Sequence, residues 1–168
     1  VAPTGATCAM GGEVLSQLLQ SKNNYEIRLL VRNPSKAKSF FKSLLKKGKD
    51  RITIVQGNIT NYDDVEQLIC DTDYVIHCAA VIPPKADHNP ENTFAVNFGG
   101  TKNVVDAIKN TGHADSVKLI HISTVAVYGN RDYHHPWARM GDPVMSSAYD
   151  YYSAAKIKAE RYVLESGL

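Results

Sequence analysis

The amino-acid sequence predicts an α/β fold, a doubly wound parallel sheet with helices on both faces. Short runs rich in aliphatic and β-branched residues alternate with longer helical stretches along the chain, which is the pattern of parallel strands joined by crossover helices. A glycine-containing stretch at residues 4–12 lies where the first strand gives way to the first helix. At 168 residues, the chain has the length of one domain.

Five strands follow from the β-rich runs. They are predicted at residues 1–4, 25–32, 51–56, 73–78 and 117–123. The first strand contains Pro3, which cannot donate a backbone hydrogen bond and is unusual in a central strand.

The first two helices are predicted from apolar periodicity and from a capping pair. Residues 13–20 place a valine and three leucines on one stripe of a helix. The next helix opens at Asn33-Pro34, because a proline at the first helical position sacrifices no backbone N–H that the helix needs. The lysines from Lys36 to Lys49 are then expected on the solvated face of this one helix.

The later helices are placed in the same way. One starts near Asn61, with Asp63 and Asp64 in its first turn, where carboxylates suit the helix dipole. The others are predicted at residues 92–110 and 147–166, and a loop with two prolines at 129–145 precedes the last one.

Composition and charge are those of an ordinary soluble globular protein. Hydrophobic residues make up 43% of the chain and charged residues 21%, and the formal net charge is +2. A charge this small gives no reason to expect nucleic acid as a partner. No apolar run approaches the length of a membrane span, and no basic-then-apolar leader precedes the first strand, so a membrane partner is not expected.

The three cysteines indicate a reducing compartment. Cys8, Cys70 and Cys78 are odd in number and far apart, so they form neither a disulfide framework nor a metal-binding pattern. His134 and His135 are adjacent in a loop, without a cysteine or carboxylate at ligand spacing, so no metal is expected there. We therefore expect a cytoplasmic protein without a bound metal.

The first indication of function is the stretch TGATCAMGG at residues 4–12. Glycines between a strand and a helix allow a tight turn and the close approach of a ligand, and the N-terminus of the helix presents free N–H groups to an anion. The arrangement predicts a bound pyrophosphate. A tight turn without a ligand is the alternative, and the three glycines alone leave it open.

The residues that follow each strand are the next candidates, because ligands of doubly wound sheets bind beyond the carboxyl ends of the strands. These residues are the glycine turn, Arg32, residues 57–59, Ala79-Ala80 and Ser123-Thr124. We expect them to border one crevice.

Tyr152 and Lys156 form a further pair, one helical turn apart on the same face. A tyrosine hydroxyl has an ordinary pKa of about 10, so it needs a neighbouring positive charge to exchange protons near pH 7. Lys156 could supply that charge. Chance alone yields roughly 0.7 pairs at this spacing in a chain so rich in tyrosine and lysine. The pair is therefore informative only together with the other sequence elements.

Six sequence elements occur in order along the chain. They are TGATxxxG at residues 4–11, GNI at 57–59, HCAA at 77–80, NxxGTxNV at 97–104, STVAVYG at 123–129, and the pair Tyr152 and Lys156. Together they resemble the motifs of the extended short-chain dehydrogenases/reductases, in the NAD-dependent epimerase/dehydratase branch. The resemblance covers the whole chain and implies one Rossmann-type NAD(P)-binding domain over residues 1–168, incomplete at its C-terminus.

The resemblance implies an enzyme with the catalytic residues Thr124, Tyr152 and Lys156. Tyr152 would be the general acid/base, and the Thr124 hydroxyl, which can donate and accept, would hold the substrate oxygen beside it. Lys156 would lower the tyrosine pKa and hydrogen-bond the nicotinamide ribose, while the cofactor carries the hydride. The implied reaction is an oxidation-reduction, epimerisation or dehydration at a hydroxyl or carbonyl carbon of a sugar nucleotide or small carbonyl compound.

The implied cofactor is NADP or NAD. Arg32 ends the second strand, where an acidic residue would bind the ribose 2′-hydroxyl and an arginine suits a 2′-phosphate, so NADP is favoured. An arginine that serves only solubility is the alternative. The residues expected at the cofactor are Gly5, Thr7, Cys8, Ala9, Met10, Gly11, Arg32, Asn58, Ile59, Ala79, Ala80, Asn97, Tyr152 and Lys156.

Three of these residues depart from the family pattern or have a second interpretation. Cys8 stands where the family has its middle glycine, so its side chain would crowd the pyrophosphate. Asn58 replaces the aspartate that the family usually has near the adenine. Asn97 resembles an asparagine that organises the active-site side of the sheet, and equally a buried amide that satisfies backbone groups.

Two classes of function are left open, an enzyme and a dinucleotide-binding sensor or interaction protein that kept the fold without turnover. The intact Thr124, Tyr152 and Lys156 favour the enzyme, whereas Cys8 and Pro3 favour the sensor. The family binds its substrate largely with a C-terminal portion that this chain does not contain, so the substrate stays undefined. A small molecule is the expected partner, and a homodimer is left open.

Overall fold

The structure, a computed structural model, describes residues 1–48 and 50–168, which form a parallel sheet covered by helices. The strands are β1 (Ala2–Thr4), β2 (Ile27–Val31), β3 (Ile52–Gln56), β4 (Tyr74–His77) and β5 (Lys118–His121). β1 pairs with β4 and β4 with β5, while β2 pairs with β3, all in parallel. β1 lies beside β2, so the spatial order is β3-β2-β1-β4-β5, and the predicted doubly wound fold is confirmed.

Pro3 interrupts the ladder between β1 and β2. The carbonyl of Val1 accepts a hydrogen bond from the Arg28 N–H at 3.0 Å, so the backbone groups of Val1 face β2. Alternate residues of a strand face the same way, and the Pro3 nitrogen therefore also faces β2, where it has no proton to donate. The sheet is accordingly divided into two hydrogen-bonded groups, β1-β4-β5 and β2-β3.

Eight α-helices connect or follow the strands in the described part of the chain. They are α1 (Ala9–Gln20), α2 (Pro34–Phe40), α3 (Lys42–Lys47), α4 (Tyr62–Ile69), α5 (Lys85–His88), α6 (Pro90–Phe94), α7 (Gly100–Asn110) and α8 (Tyr151–Leu164). A π-helical segment, Ala95–Gly99, joins α6 to α7 without a break, and a short 3₁₀ helix, Val125–Tyr128, follows β5. None of these helices is long and apolar enough to cross a membrane.

Two hydrophobic cores lie on opposite faces of the sheet. Leu29 and Val31 of β2 belong to one core with Leu15 of α1, whereas Leu30 belongs to the other with Val104 of α7. Successive side chains of a strand point to opposite faces, so this division places α1 to α3 on one face and α4 and α7 on the other. Both faces of β2 are thus buried, as a doubly wound sheet requires.

Two predicted helices on the first face are corrected by the structure. α1 begins at Ala9 rather than at residue 13, because the Cys8 sulfur caps it by accepting the Gly11 N–H at 3.4 Å. The single helix expected through residues 36–49 is two helices, since the chain turns at Phe41 to bury that ring. Lys49 lies outside the described residues.

The predicted helices on the other face differ mainly in where they begin. The helix expected at 92–110 begins at Pro90, because Asn89 caps it by accepting the Asn92 N–H, and it passes through the π-helical segment. α5 was not predicted. The last helix begins at Tyr151 rather than at residue 147, since Asp150 caps it by accepting the Ser153 N–H at 2.8 Å.

Candidate functional site

A cleft of about 400 Å³ lies at the carboxyl ends of the strands. The predicted cofactor residues on its wall are Gly5, Thr7, Cys8, Arg32, Asn58, Ile59, Ala79 and Ala80. The structure therefore brings together residues that follow four different strands. The predicted residues Ala9, Met10 and Gly11 stand at the start of α1, just behind the turn that forms one wall.

The turn after β1 requires glycine at two positions. Gly5 has a φ of +68°, and a Cβ there would lie 2.8 Å from the Ala79 Cα. A Cβ on Gly11 would lie 2.3 Å from the Gly5 carbonyl oxygen, whereas one on Gly12 would be 3.4 Å from its nearest neighbour, the Ala6 oxygen. Gly5 and Gly11 thus let β1, α1 and the segment after β4 come together, and Gly12 is not constrained in this way.

Cys8 occupies the N-cap of α1 on the cleft wall. Its N–H donates to the Gly5 carbonyl at 2.9 Å, and its sulfur accepts from the Gly11 N–H. The thiol is exposed and lies 4.0 Å from the Cys78 carbonyl oxygen. Cys78 is buried, which raises the pKa of its thiol, whereas Cys8 is exposed. Cys8 is therefore the more accessible thiol of the two.

Asn97 fixes the segment that follows β4. Its side-chain oxygen accepts the Val81 N–H at 2.7 Å, and its side-chain nitrogen donates to the Val81 carbonyl at 2.9 Å. Asn97 is buried in the π-helical segment and is not on the cleft wall, whereas Val81 is. Both sequence interpretations of Asn97 describe this one arrangement, because the amide satisfies backbone groups and in doing so shapes the cleft.

Arg32 and Asn58 stand at the ends of β2 and β3 on the opposite wall. The Arg32 side chain is exposed and forms no ion pair with any described residue. Asn58 is held through its backbone N–H, which donates to the Asp64 carboxylate at 2.8 Å, and its side-chain oxygen accepts the Thr60 N–H. Both residues are exposed on the same wall of the cleft.

A fully satisfied buried histidine lies beneath the cleft. Thr101 donates its hydroxyl proton to the Asn97 carbonyl at 2.7 Å, so its oxygen accepts from the His77 Nε2–H at 3.0 Å. The His77 Nδ1 then accepts from the Thr4 hydroxyl at 2.7 Å, and the Thr4 oxygen accepts the Ala79 N–H at 3.2 Å. His77 is therefore neutral, with its proton on Nε2.

Lys156 lies buried on α8, against the end of β5. Its Nζ donates to the Ile122 carbonyl at 2.5 Å and lies 3.4 Å from the His121 Nε2. Burial lowers the pKa of Lys156 to about 8, against the opposing influence of the Glu160 carboxylate one turn further along the helix. Burial also lowers the pKa of His121 to about 4 and that of His77 to about 3, and the charge of Lys156 adds to both shifts.

Tyr152 lies at a second cleft, of about 440 Å³. The other residues on its wall are Pro83, Asp87, Ala126, Ala148, Tyr149 and Asp150. Thr124 ends the segment after β5 and caps the 3₁₀ helix, since its oxygen accepts the Ala126 N–H at 3.2 Å, which leaves its hydroxyl proton free to donate. Ala126, whose N–H donates to Thr124, also lines the cleft of Tyr152.

Several residues of this region carry no clear signal in the sequence. Lys85 and Asn92 line the first cleft but lie in or near the short helices between residues 85 and 94, where periodicity is too short to be read. The pair Asn89-Pro90, which repeats the capping pattern of Asn33-Pro34, could have located the start of α6. His121 was missed because one polar residue in a short strand carries no pattern.

The first cleft has room and positive charge for an anionic ligand. Gly5 adds no side chain to its wall, and the exposed Arg32 and Lys85 supply positive charge there. The thiol of Cys8 narrows the turn but is small and lies at its edge. The arrangement can therefore hold an anionic ligand along the carboxyl ends of β1 to β4.

Comparison with protein families and known proteins agrees with this geometry. The model of the NAD dependent epimerase/dehydratase family matches residues 3–167. The chain is 32% identical over 124 residues to 3 beta-hydroxysteroid dehydrogenase type 7 of Rattus norvegicus, an alignment of 73% of this chain with 36% of that protein. It is 35% identical over 116 residues to dTDP-glucose 4,6-dehydratase of Mycobacterium tuberculosis, with 68% of this chain and 34% of that protein aligned.

A solved structure shows the same fold with a dinucleotide bound. The Bordetella bronchiseptica enzyme WbmH in complex with NAD⁺ has a TM-score of 0.79 and 25% sequence identity, and the match covers 99% of this chain and 52% of that one. The chain thus spans about a third of the length of these curated relatives and about half of that of the solved structure.

Proposed function

Because the chain belongs to the NAD-dependent epimerase/dehydratase family, we propose that it forms the NAD(P)-binding domain of an oxidoreductase, epimerase or dehydratase. The proposed substrate carries a hydroxyl or carbonyl carbon, as a sugar nucleotide or a small carbonyl compound does. The names of two relatives, which include dTDP-glucose and a 3 beta-hydroxysteroid, agree with this description. The observation that carries the proposal is the buried Lys156, held against the end of β5 one turn after Tyr152.

The proposed chemistry assigns a proton to Tyr152 and a charge to Lys156. Tyr152 exchanges a proton with the substrate oxygen, and the Thr124 hydroxyl donates to the same oxygen. Because the pKa of Lys156 is about 8, its side chain is mainly an ammonium at neutral pH, on the same helix as Tyr152 and one turn after it.

The dinucleotide would be held by residues of the first cleft and, when bound, supplies hydride transfer. Gly5, Thr7 and Cys8 border the turn where the pyrophosphate is proposed to lie. Arg32 supports a preference for NADP, because its free guanidinium suits a 2′-phosphate. Lys156 would reach the nicotinamide ribose with an N–H that the protein leaves available.

The test of this function is turnover by the full-length protein with Tyr152→Phe, which removes the exchangeable proton and keeps the ring. We expect turnover to fall by roughly 10²–10⁴-fold, as is typical of losing a general acid/base, with cofactor affinity little changed. Tyr151→Phe is the matched control, because it removes the neighbouring hydroxyl and should keep turnover. Lys156→Met should lower both turnover and cofactor affinity.

A dinucleotide-binding sensor is the second candidate, favoured by the thiol of Cys8 at the turn. It predicts cofactor binding without turnover on any carbonyl compound or sugar nucleotide in a spectrophotometric screen. Wild-type turnover from Tyr152→Phe would refute the catalytic assignment. Absence of any turnover in the wild type, with cofactor bound, would favour the sensor.

A further inference from the structure

A basic pair, His121 of β5 and Lys156 of α8, contains a contact that the proposed chemistry does not use. The His121 Nε2 lies 3.4 Å from the Lys156 Nζ, where Lys156 is buried and His121 is half-buried. Two neighbouring basic groups are an unfavourable arrangement unless one of them is neutral. The pair therefore needs a physical explanation.

The donors and acceptors of the pair define its protonation. An ammonium has three protons to donate and no lone pair, so the Ile122 carbonyl takes one proton and the His121 Nε2 can take a second. An imidazole nitrogen accepts only when it carries no proton. A His121 that accepts from Lys156 at Nε2 is therefore neutral and carries its own proton on Nδ1.

The other ring nitrogen of His121, Nδ1, shows that this arrangement has a cost in stability. The His121 Nδ1 is buried and has no hydrogen-bond partner among residues 1–48 and 50–168. A buried donor without an acceptor is destabilising, and a phenylalanine would fill the same space without that cost. The group that distinguishes histidine from phenylalanine here is the acceptor at Nε2.

The surroundings hold the His121 ring in place. His77 stacks on it, with 5.6 Å between ring centroids and 28° between planes, and His77 is itself fixed through both of its nitrogens. The titratable groups that face the pair are His77 and Cys78 from β4 and Glu160 from α8. Of these, only Glu160 is ordinarily charged at neutral pH, and Ser123 donates to its carboxylate.

We propose that His121 is a positioning residue, which holds the Lys156 ammonium at the end of β5 by accepting one of its protons at Nε2. Two N–H groups of Lys156 are then committed to His121 and Ile122, and the third is left available to the dinucleotide. The inference rests on the function proposed above for Lys156. It adds a residue from β5 that fixes the direction of the lysine.

The first test is the tautomer of His77 and of His121 in the unmodified protein. Long-range ¹H–¹⁵N NMR distinguishes a protonated from an unprotonated ring nitrogen. We expect the proton of His121 on Nδ1 and that of His77 on Nε2, so the two imidazoles should give opposite patterns. A proton on the His121 Nε2 would overturn the proposal, because that nitrogen could not then accept from Lys156.

The second test is the pKa of Lys156, followed by NMR of ¹⁵N-labelled lysine side chains and assigned with Lys156→Met. His121→Phe keeps the ring and removes the acceptor that stabilises the ammonium, so the pKa of Lys156 should fall by about one unit. His121→Gln restores an acceptor near Nε2 and should return the pKa toward the wild-type value. His113→Phe, at an exposed histidine before β5, is the matched control and should leave the pKa unchanged.

The outcomes separate this inference from the proposed function. An unchanged Lys156 pKa in folded His121→Phe would overturn the positioning role, although Tyr152→Phe could still abolish turnover. If His121→Phe does not fold, the tautomer measurement and His121→Gln decide. In the full-length protein, the high-pH decline of turnover should move to lower pH by the same amount in His121→Phe, whereas a purely structural role would lower turnover equally at every pH.

Discussion

Arg32 is the side chain that we expect to set the preference between NADP and NAD. Its guanidinium is exposed on the cleft wall and pairs with no described carboxylate, so it is free to bind a 2′-phosphate. NADP should bind more tightly than NAD, and Arg32→Asp should reverse the order, with a change in the affinity ratio of roughly tenfold or more. Calorimetric titration of both cofactors measures it.

The control for Arg32 is Lys22→Asp, which makes the same change of charge beyond the far end of α1. It should leave the ratio of NADP to NAD affinity unchanged, because exposed charges at that distance are screened by salt. Equal affinities of the wild type for NADP and NAD would return Arg32 to a solubility role.

Cys8 is predicted to weaken dinucleotide binding and to react when the cleft is free. The Cys8 thiol is exposed on the cleft wall at the N-terminus of α1, so an alkylating reagent can reach it when the cleft is free. Cys8→Gly should tighten NADP binding, and saturating NADP should slow the alkylation of Cys8 in the wild type. Mass spectrometry after timed alkylation gives the rate at each cysteine.

Cys70 is the matched control for this alkylation, because it is also exposed but lies at the end of α4, away from the cleft. Its rate should not respond to NADP. If the rate at Cys8 also ignores NADP and Cys8→Gly leaves the affinity unchanged, the turn after β1 does not hold the pyrophosphate.

Among the helical elements, the π-helical segment (Ala95–Gly99) has the clearest role in the cleft. It presents Asn97 to Val81, whose backbone N–H and carbonyl would otherwise be unpaired beside the cleft. Asn97→Leu should lower the free energy of unfolding by about 2–4 kcal/mol, since it removes two hydrogen bonds and leaves both backbone groups unsatisfied. Urea denaturation measures this loss.

Asn103→Leu is the comparison for Asn97, because Asn103 makes one hydrogen bond, to the Ile59 carbonyl at 3.0 Å. Asn103→Leu should therefore lower the free energy of unfolding by clearly less than Asn97→Leu does. A cost of Asn97→Leu no greater than that of Asn103→Leu would contradict the assigned role.

The starts of helices were the least predictable elements of the fold. α2 and α4 were placed correctly, because Asn33 and Asn61 are usual capping residues. The start of α1 was missed, because a cysteine is not a usual cap and glycine lowers helix propensity. The break between α2 and α3 at Phe41 has no local sequence signal, since it results from the burial of the Phe41 ring in the core that contains Leu15 of α1.

At the scale of the whole molecule, the buried His77 and the half-buried His121 make stability depend on pH. Their pKa values in the fold, about 3 for His77 and about 4 for His121, lie below the ordinary value of 6.5. Between these values and 6.5 the unfolded chain binds protons that the folded chain does not, so stability is retained above pH 6.5 and falls as the pH falls. Each imidazole contributes about 1 kcal/mol per pH unit near pH 5.

The histidine contribution is measured by comparing the wild type with His121→Phe in urea denaturation from pH 6 to 4.5, where Lys156 is protonated in both proteins. The carboxylates titrate alike in both proteins, so the difference in slope isolates one imidazole. The variant should lose stability less steeply as the pH falls. Parallel curves would mean that His121 is protonated at the same pH in the folded and unfolded chains.

The doubly wound fold and the family were predictable, because both depend on patterns repeated along the chain. Alternating elements predict the sheet, and motifs after four strands meet at one cleft only in that topology. The contacts of Lys156 with Ile122 and His121 were not predictable, since they arise where α8 packs against β5. The substrate class is also beyond the sequence, because this chain aligns with about a third of each curated relative.

The proline in β1 has a consequence for motion across the cleft. Gly5 and Ala79 follow strands on one side of the β1–β2 junction, whereas Arg32 and Asn58 follow strands on the other. The two walls thus belong to separately hydrogen-bonded halves of the sheet, and Pro3 removes a hydrogen bond between them. A dinucleotide bound to both walls would restrain the motion of the two halves relative to each other. Deuterium exchange at the Arg28 amide, which donates to the Val1 carbonyl across the β1–β2 junction, should therefore slow when the dinucleotide binds.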